Sequence, residues 1–266
     1  MARDDSRGRK ETTVRRAAPS FTLLLTLVAA APDAGAQGLD LRVGGFLPRL
    51  NDCGVPSSQP AEYTLFQDVC ELYAVYVGDT RDFRAVEQND FDGIYGGIEY
   101  NHVIMKNVEA AVHLDGYSKT VDTFYSDFER PRGGDILQSL RLRTAPLGVS
   151  LRFVPTGKRV KVAPFVGGGV DAVFYEYEAF GDFIDFFDPD LPIEPDHIIT
   201  DGVAFGLHAL GGLRVYLNRD FAIVGEARYL WAKDDMGGDF APNEPGLVNR
   251  IDLSGWTFTV GVHMRF

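Results

Sequence analysis

The chain has 266 residues, 45% hydrophobic and 24% charged, the composition of a folded protein and not of a disordered one. Its formal charge of -12 takes nucleic acid out of the expected partners, because phosphate binding draws on an excess of Lys and Arg. The body of the chain holds no apolar run of about 18 residues, so a helical membrane span is excluded and only strands are left to cross a bilayer.

Residues 1–36 read as an export signal. Arg3, Arg7, Arg9, Lys10, Arg15 and Arg16 precede the apolar run FTLLLTLVAAA, and AGA at 34–36 offers small residues for cleavage. The mature domain is expected to span 37–266 and to carry 20 basic and 34 acidic side chains, a formal charge of -14. Cys53 and Cys70 are the two cysteines. In an exported chain the pair is expected to close a disulfide loop of about 18 residues, worth on the order of 3 kcal/mol, with two free thiols as the alternative.

Eight stretches of period-two alternation follow: 39–48, 91–101, 108–119, 139–154, 160–177, 202–217, 221–232 and 251–266. They are longer than ordinary soluble strands and match the nine to eleven residues, about, that a tilted strand needs to cross a bilayer. The links HVIMKN, PTGKR and NRD are short, whereas 49–90, 120–138, 178–201 and 233–250 are long. Strict alternation of short and long links predicts an up-and-down antiparallel sheet with turns on one rim and loops on the other.

Each stretch has one apolar and one polar face. In 202–217, Val203, Phe205, Leu207, Leu213 and Val215 oppose His208, Arg214 and Tyr216; in 221–232, Phe221, Ile223, Tyr229 and Trp231 oppose Glu226 and Arg228. The period alone leaves open which face is inside. Bulky Leu, Val, Phe and Trp would overfill an eight-stranded interior, while Gly167, Gly169, Gly206, Gly212 and Gly261 sit on the polar face, where space is short. Aromatic residues gather at both ends of the apolar face, Tyr100, Phe153, Phe221 and Phe266 by the short turns and Phe174, Tyr229, Trp231 and Trp256 toward the long loops, as at two membrane interfaces. Closure pairs every backbone amide that faces lipid. The fold class is therefore all-β, an eight-stranded antiparallel up-and-down transmembrane β-barrel. In 139–154 the apolar phase changes at Pro146, from Leu140 and Leu142 to Leu147, Val149, Leu151 and Phe153, which predicts a bulge; Pro164 leaves the register of its stretch open.

The first strand LRVGGFLP, the fifth VKVAPFVGGGVDAVFY and the last strand ending in Phe266 resemble the small outer-membrane β-barrel superfamily of OmpA-like and OmpW-like domains. The likeness spans about 37–266. It implies a bacterial outer-membrane location and a terminal Phe266 similar to the signal read by the barrel-assembly machinery. It implies no single activity, since such barrels range from anchors to narrow channels.

The polar faces would place Asp40, Arg42, Glu99, Glu109, His113, Asp115, Arg152, Lys161, Asp171, His208, Arg214, Glu226, Arg228, His263 and Arg265 inside. Buried charges must be paired, so the expected reading is a self-neutralising plug. The alternative is a narrow channel for small or apolar solutes. A lipid-modifying enzyme would need a nucleophilic Ser near His and a carboxylate, and Ser118 and Ser150 lie at no telling spacing, so no catalytic residue is assigned. Glycines 167–169 lack the Lys and helix of a phosphate loop, and no cofactor or metal site is read. The acidic link with Asp182, Asp185, Asp188, Asp190, Glu194 and Asp196 lacks calcium-loop spacing, though a divalent cation or other loop ligand stays open, as does the packing of its Phe183, Ile184, Phe186 and Phe187. The expected role is structural or interaction-related, through the surface loops, with outer-membrane lipid as surroundings.

Overall fold

Alternating side chains stand on opposite faces of a pleated strand, so each of the eight stretches can present one face to an interior and one to the outside. In the computed structural model, which describes residues 37–49, 62–64, 72–74, 84–156, 160–184, 192–237 and 248–266, they do so. The strands are β1 (Gln37–Pro48), β2 (Glu62–Thr64), β3 (Leu72–Ala74), β4 (Arg84–Ala85), β5 (Gly93–Met105), β6 (Val108–Glu129), β7 (Asp135–Phe153), β8 (Val162–Ile184), β9 (Ile193–Tyr216), β10 (Phe221–Asp235), β11 (Val248–Asp252) and β12 (Gly255–Arg265). Residues 1–36, Cys53 and Cys70 lie outside the described residues.

Eight strands form the ring β1-β5-β6-β7-β8-β9-β10-β12, each antiparallel to its neighbours. The ring closes where β12 meets β1, from Gly38 opposite Arg265 to Pro48 opposite Gly255. Gln37 and Phe266 exchange backbone hydrogen bonds of 3.2 and 3.1 Å at its end. The two short turns that lie wholly within the described residues are tight as expected. Asn107 takes a left-handed φ of 71° between β5 and β6, and the Asn218 side chain accepts the backbone N–H groups of Asp220 and Phe221 between β9 and β10.

The long links differ from the sequence reading. Most of 120–138 and 178–201 is strand, because β6, β7, β8 and β9 run well beyond the apolar stretches. Link 49–90 carries β2, β3, β4 and a 3-10 turn over Gln88–Phe91, and link 233–250 carries the start of β11, which pairs with β2 in parallel. Phe91 is fully buried.

No bulge exists at Pro146. Pairing of β7 with β8 runs unbroken from Gln138–Gly181 to Phe153–Val166, through Pro146–Val173, and β8 passes Pro164–Leu213 equally unbroken against β9. What changes at Pro146 is the surroundings. Leu147, Val149, Leu151 and Phe153 face outward on an exposed apolar belt, and Ser150 and Arg152 face inward. Farther along the same strand Leu140 and Leu142 face inward and are buried, while Arg141 and Arg143 face outward. The edge of the belt falls between the row Ala145–Phe174–Val203 and the row Arg143–Glu176–Asp201. Below it the sheet has the polarity of a membrane barrel; above it, that of a sheet in water. Outward ion pairs mark the upper zone, with Arg143 at 2.5 Å from Glu176 and 3.1 Å from Glu178, and Arg141 at 3.1 Å from Glu178.

The interior is stratified to match. From the upper part of the belt outward an apolar cluster joins Phe46, Phe91, Tyr95, Leu142, Tyr177 and Leu253, among others, with Phe183 packed against it. At the opposite end Val154, Ala163, Phe165, Leu210 and Val224 form a smaller cluster. Charged groups fill the layer between.

Candidate functional site

Every barrel strand contributes to the charged layer. Asp40 and Arg42 come from β1, Glu99 and Asn101 from β5, Glu109, His113 and Asp115 from β6, Arg152 from β7, Asp171 from β8, His208 and Arg214 from β9, Glu226 and Arg228 from β10, and His263 from β12. All are buried. Their order follows from parity, since each is spaced by an even number from the other inward residues of its strand.

Arg152 lies at the centre. Its Nη2 donates to Glu99 Oε2 at 2.6 Å and Glu226 Oε2 at 2.5 Å, and its Nη1 donates to Asn101 Oδ1 at 3.1 Å. Arg42 bridges Glu226 at 2.8 Å and Asp115 at 3.0 Å, and Arg228 bridges Glu226 at 2.9 Å, Asp115 at 3.1 Å and Glu99 at 3.2 Å. Tyr95 donates its hydroxyl to Asp115 at 2.8 Å. Lower down, Arg214 donates to Glu109 at 2.6 Å and to Asn101 at 3.2 Å. Asp40 accepts from Asn101 at 3.0 Å and pairs with His263. The Phe165 ring lies between two guanidinium groups, 4.9 Å from that of Arg152 and 5.2 Å from that of Arg214. Planar guanidinium groups suit such a lattice because each offers five donors in fixed directions.

A second constellation sits on β6, β8 and β9 and adjoins the first where His113 Nε2 lies 3.9 Å from Asp115 Oδ2. Asp171 is contacted through Oδ1 by His113 Nε2 at 2.8 Å and through Oδ2 by His208 Nδ1 at 2.5 Å. The two imidazoles meet edge to face with centroids 5.3 Å apart. Glycines make the room: a Cβ on Gly148 would lie 2.2 Å from Asp171 Oδ1 and 2.5 Å from His113 Cε1, and one on Gly169 would lie 2.8 Å from His208 Cε1.

Lys161 and Arg265, placed inside by the sequence reading, do not join the layer. Both have inward parity, but they stand at strand ends, where the rim opens to water. Lys161 is exposed, and Arg265 is half-buried with its guanidinium 4.8 Å from the Tyr216 ring. Together with Arg219 and Asp220 they line an open cleft of about 600 Å³ at the short-turn rim. Asn101 and Tyr95 were missed, although their parity with Glu99 on β5 was readable. Of the two serines weighed as nucleophiles, Ser118 is exposed on the outward face, whereas Ser150 is buried and its hydroxyl has no hydrogen-bond partner.

The aromatic residues lie at the two edges of the belt, with Phe153, Phe221 and Phe266 exposed at one and Phe174, Trp231 and Trp256 at the other. Tyr229 is the exception. It is buried by Trp231 and Trp256, whose rings lie 4.6 and 5.0 Å from its own.

No protein-family model and no curated protein matches the chain. Solved structures similar to it are Neisserial surface protein A (10% identity, 88% of this chain and 100% of that chain, TM-score 0.41), outer membrane protein W of E. coli (15%, 89% and 100%, 0.36) and the N-terminal β-barrel domain of OprF from Pseudomonas aeruginosa (9%, 88% and 100%, 0.35).

Proposed function

We propose that the protein is an integral outer-membrane barrel of a diderm bacterium whose lumen is closed and whose role is structural or interaction-related, exercised by the sheet and links that stand beyond the belt. The observation that carries this reading is the apolar cluster around Leu142, Tyr177 and Leu253, which sits in the barrel interior directly above the charged layer. A solute path would have to cross both a lattice of paired ions and a dry plug. The outward apolar belt, with Val149, Leu207 and Val260 all exposed, supports insertion into hydrocarbon, because contiguous surfaces of that kind are not left in water. Export through residues 1–36 and recognition of Phe266 by the assembly machinery belong to the same reading, and a disulfide between Cys53 and Cys70 would tie the first link.

The test is conductance. Refolded protein in a planar bilayer is expected to give no discrete current steps, with or without Arg152→Met. Reproducible steps whose ion selectivity changes with a charge in the layer would replace this reading with a channel.

A further inference from the structure

We infer that His113, Asp171 and His208 form a binding site for one divalent transition-metal ion inside the barrel. Three observations on separate residues converge on it.

The first is the donor set. The nearest ligand atoms of the three side chains lie within 4.8 Å of one another, and all three residues are buried. Two imidazole nitrogens and a carboxylate suit Zn²⁺, Co²⁺, Ni²⁺ or Cu²⁺ better than Ca²⁺ or Mg²⁺, which take oxygen ligands. A tetrahedral ion with bonds of about 2.1 Å needs donors roughly 3.4 Å apart. The His–Asp spacings of 2.8 and 2.5 Å therefore open by about 0.6 and 0.9 Å to admit it.

The second is charge. The layer buries six carboxylates, of Asp40, Glu99, Glu109, Asp115, Asp171 and Glu226, against four guanidinium groups, of Arg42, Arg152, Arg214 and Arg228, among the described residues. With neutral histidines it is two positive charges short, and charge buried in a low-dielectric interior has to be compensated. One divalent ion at Asp171 restores the balance at a single point.

The third separates this from two extra protons. His113 Nδ1 and His208 Nε2 are buried without a hydrogen-bond partner. With each neutral ring donating to Asp171, those atoms are bare acceptors; coordination moves each ring's own proton onto them, as a second proton would, but without burying a charged imidazolium. Coordination keeps both rings neutral.

Because the site is enclosed, the full chain is refolded into detergent with Co²⁺, Zn²⁺ or Cu²⁺ present and then freed of loose metal. One Co²⁺ per folded chain with intense visible bands, competed by Zn²⁺, is expected. The Cu²⁺ form is expected to show coupling to two nitrogens in its paramagnetic resonance spectrum. His113→Gln with His208→Gln should abolish retention, and Gly148→Ala should weaken it at least tenfold. No retained metal overturns the inference. So does metal retained equally by the double variant, which would place it on the acidic links, or a Cu²⁺ spectrum without nitrogen coupling. The spectrum decides even if the variants do not fold.

Discussion

Arg152 shows how much one side chain can hold in a closed lattice. Its guanidinium touches Glu99, Asn101 and Glu226 from two other strands while lying over Phe165. Replacing it with Met leaves two carboxylates buried without their main partner, and removing one member of such a pair typically costs about 3–5 kcal/mol. Arg152→Met is therefore expected to lower the unfolding free energy of the refolded barrel by that order, read as a lower midpoint in a urea titration. Arg152→Met with Glu226→Gln should lose less than the sum of the two single changes, as a double-mutant cycle would read. Asp92, which follows the 3-10 turn outside the belt, obeys a different rule. Partial burial raises its carboxyl above the usual range, Lys119 draws it down by less, and Asp90 adds to the rise. A raised carboxyl favours the protonated form in the folded state, so its charge costs stability above the folded pKa, and the cost vanishes as pH falls through it. Asp92→Asn should raise the unfolding midpoint at neutral pH and leave it unchanged in acid; a gain that persists in acid would tie the effect to packing.

At the scale of the strand, β7 obeys two solvents within one unbroken register against β8. Its outward face is Val149 and Leu151 in the belt but Arg141 and Arg143 beyond it, and its inward face reverses in the opposite sense. Val149→Arg is expected to destabilise the barrel by about 2–4 kcal/mol, as a charge at the depth of the hydrocarbon does. Ser139→Arg, on the same face three rows above the edge row's Ala145, should move stability by less than about 0.5 kcal/mol. Urea titration in lipid vesicles reads both; equal effects would mean that the belt does not meet lipid. The sequence held this change, in the step from Leu140 and Leu142 to Leu147 and Leu151, but a bulge and a change of surroundings leave the same mark on parity. Only the partners across β8 tell them apart.

At the scale of the whole molecule, the barrel and its upward extension are separable in their demands. From Tyr175 to Ile184, β8 continues for roughly 30 Å beyond the belt, at about 3.3 Å per residue. Its pairing with β9 continues to Ile184–Ile193. Replacing residues 182–195 by a two-residue turn removes the tip of this ribbon, with the Asp182 contacts to Arg130 and Gln138, but leaves the belt and the charged layer intact. The shortened protein is expected to insert and to keep the gel mobility of a folded barrel, with a modest loss of stability. Failure to insert would show that the ribbon is needed to close the ring.

Parity, link lengths and the placement of glycines were enough to determine the ring of eight strands, the apolar exterior and the burial of thirteen of the fifteen side chains read as inward, because a strand sends alternate residues to opposite sides whatever lies there. The sequence could not say where the bilayer edge falls, that long links such as 120–138 are mostly strand, or that Lys161 and Arg265 reach the rim instead of the layer. Those depend on distance along the barrel axis, which period two does not record. Nor could it bring His113, Asp171 and His208 together: they lie on three strands far apart in the chain, and only cross-strand register, with Gly148 and Gly169 between them, sets one beside another.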